Sequence, residues 1–211
     1  MKRILILLVV GLGLSTSMFA ATSAAGVSTV SPTLTISVTV QKAVSLTLST
    51  GNTAGVTGHC AVTAGTDYTM NFGTVDALAI NDGNCNKIAP LNPGVDKAVY
   101  WTDYRITPVF TSQTAGTGTV TAYVSTNFTG GNVSVVRSST ADSSTIPVLA
   151  TNFLPMSIAS GTPDALATTA EVGVGGAPLT SFIGVSVAPT SGAAILTGVG
   201  SATVTFTLTA N

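Results

Sequence analysis

The feature that most constrains the fold of this chain is a strict two-residue alternation near its N-terminus. From residue 34 to residue 48, Thr or Ser fills most odd positions, and the even positions are apolar except one: Leu34, Ile36, Val38, Val40, Lys42, Val44, Leu46 and Leu48. One apolar face and one hydroxylated face predict a half-buried β-strand. Since strands usually run 3–10 residues and Gln41-Lys42 interrupts the apolar face, we predict two halves, 33–40 and 43–49. The C-terminus repeats the pattern, with Val204, Phe206 and Leu208 alternating with threonines.

Further short strands are predicted between these two ends, separated by clusters of Gly, Asn, Asp and Pro. They lie near 60–64, 68–75, 98–110, 118–126, 132–137, 152–158 and 181–188. Many short strands with turn residues between them are typical of a β-sandwich or a β-barrel. One stretch departs from this pattern: Thr162-Pro163-Asp164 resembles a helix N-cap with Pro at the first helical position, and it predicts a short helical turn.

The composition favours a compact β-protein whose surface carries hydroxyls instead of charges. Charged residues make up 7% of the chain, hydrophobic residues make up 45%, and threonine occurs 36 times. Threonine is β-branched and polar, which suits the solvent face of a strand. Beyond residue 26 there are five basic and eight acidic residues, a net charge of −3. So few cations exclude binding to nucleic acid or to an anionic membrane surface.

The first residues predict export from the cytoplasm. Lys2 and Arg3 precede an apolar run over 4–14, and small residues continue to Gly26. This order is typical of a secretory signal peptide, here 1–25, and the apolar run is too short for a membrane span of about 20 residues. The mature chain is therefore predicted to be secreted or on the cell surface, without a membrane span.

Two cysteines, Cys60 and Cys85, are present. An even number in an exported protein predicts a disulfide between them, and the entropy of closing a loop of this length would stabilise the fold by roughly 3 kcal/mol. Two Cys and one His make a poor zinc site, so we predict neither a metal nor a cofactor.

The chain lacks the residues of a known catalytic constellation, and we predict that it is not an enzyme. His59 is the single histidine, and it stands in a Gly-rich turn beside Cys60. We interpret it as a surface-loop residue instead of as part of a catalytic triad. Four of the seven aspartates stand within two residues of Gly, Asn or Pro, where Asp serves turns: Asp67, Asp82, Asp96 and Asp164.

A cluster of aromatic residues offers a candidate ligand site. Tyr100, Trp101 and Tyr104 could stack on carbohydrate, but on a strand Tyr100 and Tyr104 share one face and Trp101 points to the other. Packing in the core is the alternative interpretation, and the split between the two faces favours it.

Residues 60–78 read CAVTAGTDYTMNFGTVDAL. A Cys-containing strand followed by an Asn-Phe-Gly-Thr strand end resembles the spore coat protein U-like family of secreted pilus subunits, within the chaperone–usher group. Two features depart from the family pattern. Val75 stands where an aromatic residue is usual, and residues 86–200 have no recognisable counterpart.

The resemblance implies an all-β, immunoglobulin-like antiparallel β-sandwich that lacks one strand. It also implies that the N-terminal extension of the next subunit supplies the missing strand. Residues 26–41 would then be the extension and 42–211 the domain. Leu34, Ile36, Val38 and Val40 would be the donated apolar side chains, and Lys42 would mark the boundary. The alternative is that 33–48 forms the first strand of a self-contained sandwich, and alternation alone does not decide between the two.

Two functions follow from these patterns. The first is a secreted structural subunit of a surface filament, pilus or coat that polymerises with copies of itself. The resemblance adds a periplasmic chaperone and an outer-membrane usher as partners, and a route through the periplasm. The second is a self-contained secreted adhesin or carbohydrate-binding β-sandwich, with Tyr100, Trp101 and Tyr104 facing the ligand.

Overall fold

A computed structural model describes residues 35, 37, 44–110, 117–140, 145–167, 178–189 and 198–210. Backbone contacts divide the chain between Gln41 and Lys42, and the fold described below belongs to the unit Lys42–Asn211. The predicted signal peptide 1–25 lies outside the described residues. So does the predicted strand 33–40, apart from Thr35 and Ser37, which are exposed and outside any strand.

The described chain is built of β-strands, as the alternation predicts. The strands are β1 Val44–Thr50, β2 Val62–Thr63, β3 Thr69–Met70, β4 Asn86–Ile88, β5 Ala98–Phe110, β6 Gly118–Thr126, β7 Val133–Ser138, β8 Phe153–Pro155, β9 Asp164–Ala167, β10 Leu179–Val187 and β11 Thr203–Ala210. One 3₁₀ turn, Ala150–Asn152, precedes β8. The predictions for β5 and β6 match the structure to the residue. Those for 60–64 and 68–75 were too long, because each region forms a strand of two residues.

The strands form two principal antiparallel sheets and one small hairpin. The large sheet has the order β1-β5-β10-β7-β8, with β4 pairing with β5 beyond the end of β1. The second sheet has the order β11-β6-β9, and β2 pairs with β3 alone. Both principal sheets bury side chains in one shared core, so the all-β prediction and the sandwich architecture are confirmed.

Strand β5 is an inner strand of the large sheet, between β1 and β10, and its two faces are buried differently. Its even-numbered side chains, such as Tyr104 and Ile106, point between the sheets towards Val120 and Ala122 of β6. Its odd-numbered side chains lie on the outer face. There Val99 and Trp101 form a second cluster with residues of β7, β8, β10 and the loop after β1: Val136, Phe153, Phe182 and Val56. Burial on both faces explains why the first four residues of the strand, 98–101, are all apolar.

The hydroxylated surface predicted from the threonine content is present on the second sheet. On β11 the residues Val204, Phe206 and Leu208 point inward, and Thr203, Thr207 and Thr209 are exposed on the other face. These threonines lie opposite further threonines of β6 in the antiparallel register: Thr119, Thr121 and Thr126. Within the described residues, no helix has the length and hydrophobicity to cross a membrane.

The predicted helical turn at 162–164 was wrong. Asp164–Ala167 is strand β9, which pairs with β6 at the edge of the second sheet. Leu166 and Ala167 are buried in the core, and the Asp164 carboxylate accepts hydrogen bonds from the backbone N–H of Ser157 and from the guanidinium of Arg137, each at 2.6 Å. These long-range contacts override the local helix preference of the Pro-Asp-Ala sequence.

Candidate functional site

Within the part of the chain that the structure describes, the sandwich is open along the side formed by β1 and β11. These two strands lie at the same side of the two sheets and approach each other without pairing. Their inward residues, Leu46 and Leu48 on β1 and Phe206 and Leu208 on β11, contact the shared core but are only partly buried. We call this side of the sandwich, formed by β1 and β11 with these four inward side chains, the open edge.

Burial rises steeply one strand further in. Pro108 and Ile106 are the register partners of Leu46 and Leu48 on β5, and both are fully buried. On the second sheet, Val120 is the partner of Leu208 and is 0% exposed. The four side chains of the open edge are Leu or Phe. Complete burial of such large apolar side chains would stabilise the fold further, because more apolar area would be removed from water. The core therefore has the apolar side chains to pack against one more strand at this side.

The backbones of the open edge are also available. Among the described strands, β1 pairs with β5 alone and β11 pairs with β6 alone, so the outer N–H and C=O groups of both strands have no described strand opposite them. An unpaired edge of this kind is a template for another strand. One end of β1 is closed by the β2–β3 hairpin, where the backbone N–H of Val62 donates to the hydroxyl of Thr50 at 2.9 Å.

The side chains expected to fill such an edge are not described. Leu34, Ile36, Val38, Val40 and Lys42 all lie outside the described residues. The choice between a donated strand and a first strand of the same chain therefore stays a prediction.

The predicted disulfide joins Cys60 to Cys85, with a Cα–Cα distance of 5.2 Å. Cys60 stands at the end of the loop that follows β1, and Cys85 stands directly before β4. The amide of Asn86 reinforces this junction. It accepts a hydrogen bond from the backbone N–H of Gly58 and donates one to the carbonyl of the same residue. The disulfide therefore ties the loop after β1 to the edge of the large sheet.

His59 is held by a buried carboxylate, a contact that sequence reasoning missed. Its Nδ1 lies 2.6 Å from Oδ1 of Asp103, whose side chain is 0% exposed, while the His59 side chain is 30% exposed. The backbone N–H of Thr53 donates to the other carboxylate oxygen at 2.7 Å. Burial alone would raise the pKa of Asp103, but the hydrogen bonds from Thr53 and His59 outweigh it and lower that pKa. A polar residue at an odd position of β5, within an otherwise buried run, was the available signal.

The Asn-Phe-Gly-Thr motif forms a tight structural turn beside the disulfide. Gly73 has a φ of 73°, which favours glycine, and its N–H donates to the side chain of Asn71 at 2.8 Å. The backbone N–H of Asn84 donates to the carbonyl of Phe72 at 3.0 Å. The Phe72 ring is half-buried against the core. The motif thus has a role in packing the loop between β3 and β4.

The aromatic cluster considered as a carbohydrate platform is part of the core instead. Tyr100, Trp101 and Tyr104 are 0%, 5% and 2% exposed, and they point to the two faces of β5 as their spacing predicts. Trp101 lines an open cleft of about 530 Å³, but its indole nitrogen is buried beneath the surface of that cleft. Since a ring must expose a face to stack on a sugar, none of the three is arranged for ligand contact in this structure.

Among the described residues there is no group of three or more His, Cys, Asp or Glu side chains that could hold a metal ion. The chain matches no protein-family model, and no curated protein and no solved structure is significantly similar to it. The assignment of function therefore depends on the geometry of the open edge.

Proposed function

We propose that this protein is a secreted structural subunit of a surface filament, pilus or coat, and that its copies assemble by β-strand addition. In this proposal the open edge of one copy receives residues 33–40 of another. The single observation that carries the proposal is the drop in burial from Ile106 to Leu48 across one pair of strands. An added strand would cover Leu48 and its neighbours and would pair with an unpaired backbone edge.

The chemistry of the incoming segment fits that of the open edge. Residues 33–40 carry no charge, and their four even positions are Leu, Ile or Val. The open edge is likewise uncharged and is lined by Leu and Phe. A strand that alternates apolar side chains with Thr and Ser would place the apolar set against the core and the hydroxyls towards solvent. The predicted signal peptide and the sparse charge agree with a role outside the cytoplasm, and a periplasmic chaperone and an outer-membrane usher belong to the same proposal.

The adhesin alternative has less support. It depended on the rings of Tyr100, Trp101 and Tyr104, which pack in the core. No other described feature favours a carbohydrate ligand over a strand. The filament proposal is therefore the one that the geometry favours.

Deletion of residues 27–40 tests the proposal while leaving the predicted signal and the whole described domain in place. Exported full-length protein should give a ladder of bands on an unboiled denaturing gel, and boiling should reduce the ladder to one band. The deletion variant should give a monomer whose circular dichroism is that of a β-protein. A deletion variant that still forms the ladder would refute strand addition by this segment.

A peptide experiment tests the same contact without assembly. A synthetic peptide of residues 33–41 should raise the melting temperature of the deletion variant. The matched control is a peptide in which each odd–even pair is exchanged, because a shift of one residue moves the apolar side chains to the opposite face. Equal effects of the two peptides would contradict the proposal.

A further inference from the structure

The loop that follows edge strand β1 is attached to the neighbouring strand β5 through one buried carboxylate. We call residues 51–60 the latch segment. Asp103 of β5 accepts a hydrogen bond from the backbone N–H of Thr53 at 2.7 Å, and its other oxygen lies 2.6 Å from Nδ1 of His59. Gly51 packs so closely that a Cβ at this position would overlap the carboxylate. Three points along the latch segment thus converge on one side chain.

Other contacts place the latch segment directly beside β1. Thr50, the last residue of β1, is the register partner of Tyr104, the neighbour of Asp103. At the far end, the backbone N–H of Cys60 donates to the hydroxyl of Thr102 at 3.0 Å. The latch segment therefore spans from the end of the open edge to the disulfide, with Asp103 between its two attachments.

The surroundings of Asp103 leave His59 as the ionisable side chain in direct contact with it. On β10 the register partner of Asp103 is Phe182, and the β1 residue next to the latch segment is Thr50, so neither strand presents a charge there. On β5 itself Arg105 shares the outer face, two residues along. Within the latch segment His59 is the titratable side chain.

We propose that Asp103 and His59 form an acid-sensitive latch that holds residues 51–60 on β5 and so fixes the end of edge strand β1. While the carboxylate is ionised it accepts from both Thr53 and His59. When it is protonated it gains a donor in place of an acceptor and loses its charge, and the hydrogen bonds weaken. The opening of the latch is a property of the single chain and does not depend on assembly.

The direction of the pH effect follows from the carboxylate. The pKa of Asp103 lies below its ordinary value of 3.8 in the folded protein. Its contribution to stability is therefore complete above that ordinary value and is lost as the pH falls through the folded pKa. The latch should stay closed at neutral and mildly acidic pH and open below pH 3.8.

The fluorescence of Trp101 can be used to detect this movement. Val56 of the latch segment packs in the same cluster as Trp101, the single tryptophan of the sequence. Opening of the latch segment should expose the indole, so its emission should shift to longer wavelength and acrylamide should quench it more strongly. Far-ultraviolet circular dichroism, recorded on the same samples, reports whether the sheets remain folded.

The experiment is a titration of the full-length exported protein from pH 7 to pH 2 in dilute solution. We expect the tryptophan emission to shift below pH 3.8 while the circular dichroism is unchanged. Asp103→Asn should give the shifted emission already at pH 7. His59→Ala removes one of the hydrogen bonds that lower the pKa of Asp103, so its transition should move to higher pH. This second variant keeps the test decisive if Asp103→Asn does not fold.

The matched control is Asp82→Asn. The Asp82 carboxylate also has a lowered pKa, caused first by its hydrogen bond from Lys87, and it lines the cleft beside Trp101. This variant should keep the wild-type transition. Three results would each overturn the proposal: constant emission down to pH 2, emission and circular dichroism that change together, or a transition that disappears in Asp82→Asn but persists in His59→Ala at the wild-type pH.

Discussion

Leu48 and Ile106 are register partners on β1 and β5 and point to the same side of the sheet, yet Ile106 is 1% exposed and Leu48 is only partly buried. The difference comes from their positions, since among the described strands β5 has a neighbour on each side and β1 lies at the edge. Two similar aliphatic side chains on one face therefore have different amounts of apolar area removed from water. The same contrast holds between Val120 and Leu208 on the second sheet.

This contrast predicts unequal costs of truncation in the unassembled protein. Ile106→Ala should lower the free energy of unfolding by about 2–5 kcal/mol, because it leaves a cavity in a closed core. Leu48→Ala should cost about 1 kcal/mol, since part of its area is already in water. Urea denaturation of the variant lacking residues 27–40 measures both values. Equal losses would show that β1 is buried as fully as β5.

The guanidinium of Arg137 on β7 and the carboxylate of Asp164 on β9 join the two sheets through a 2.6 Å contact in which both side chains are largely buried. Burial would raise the pKa of Asp164, but Arg137 and the N–H of Ser157 outweigh it and lower that pKa. Arg137→Met should therefore destabilise the fold by about 3 kcal/mol, because it leaves a mostly buried charge unpaired.

The double variant Arg137→Met with Asp164→Asn provides the control for that loss. The amide removes the unpaired charge and can still accept from Ser157, so part of the stability should return. Denaturant unfolding at pH 7 compares the three proteins. If the double variant is no more stable than Arg137→Met, the loss comes from packing and not from the charge.

The sequence predicted those parts of the fold in which local pattern and tertiary burial agree. On β11, threonines alternate with apolar residues and the apolar set lies on the face that packs in the core. The long strand β5 was predicted from the clusters of turn residues that separate it from its neighbours in the sequence. For β11 the side-chain periodicity alone was sufficient to predict the strand and its buried face.

The misses are places where distant contacts decide the structure. Ala165, Leu166 and Ala167 favour a helix locally, but β9 forms because β6 offers an edge and Arg137 pairs with Asp164. Likewise, no spacing rule relates His59 to Asp103, which are 44 residues apart and meet only when the loop after β1 folds onto β5. The open edge could be inferred only in outline, because alternation on β1 shows which face is apolar and not how deeply it is buried.

The loop of residues 76–82 is organised by the carboxylate of Asp76. It accepts from the backbone N–H groups of Leu78, Ile80 and Asn81 at 2.7–3.1 Å and from the Tyr100 hydroxyl at 3.2 Å. Burial would raise its pKa, but the hydrogen bonds from Asn81, Ile80 and Leu78 lower it to about 2. Its contribution to stability is thus complete above the ordinary value of 3.8 and is lost as the pH falls towards 2.

Asp76→Asn should lower the free energy of unfolding by about 1–2 kcal/mol at pH 7, since charge-assisted hydrogen bonds become neutral ones. The difference between the variant and the wild type should shrink as the pH falls from 4 to 2, and denaturation curves across this range measure it. Asp67→Asn, at an exposed position, serves as the control and should match the wild type. A difference that is constant with pH would contradict the role of the carboxylate charge.

The disulfide closes a loop between residues that are 25 apart in sequence, and it ties the latch segment to the strand edge next to β4. Replacing Cys60 and Cys85 together by Ala should lower the free energy of unfolding by about 3 kcal/mol, because the unfolded chain regains the entropy of the open loop. Reduced wild-type protein should unfold at nearly the same denaturant concentration as the double variant.

At neutral pH the Trp101 emission of the folded double variant should stay that of the wild type, because Asp103 still holds the latch segment. A shifted emission in the folded double variant would mean that the disulfide, and not the carboxylate, keeps the latch segment in place.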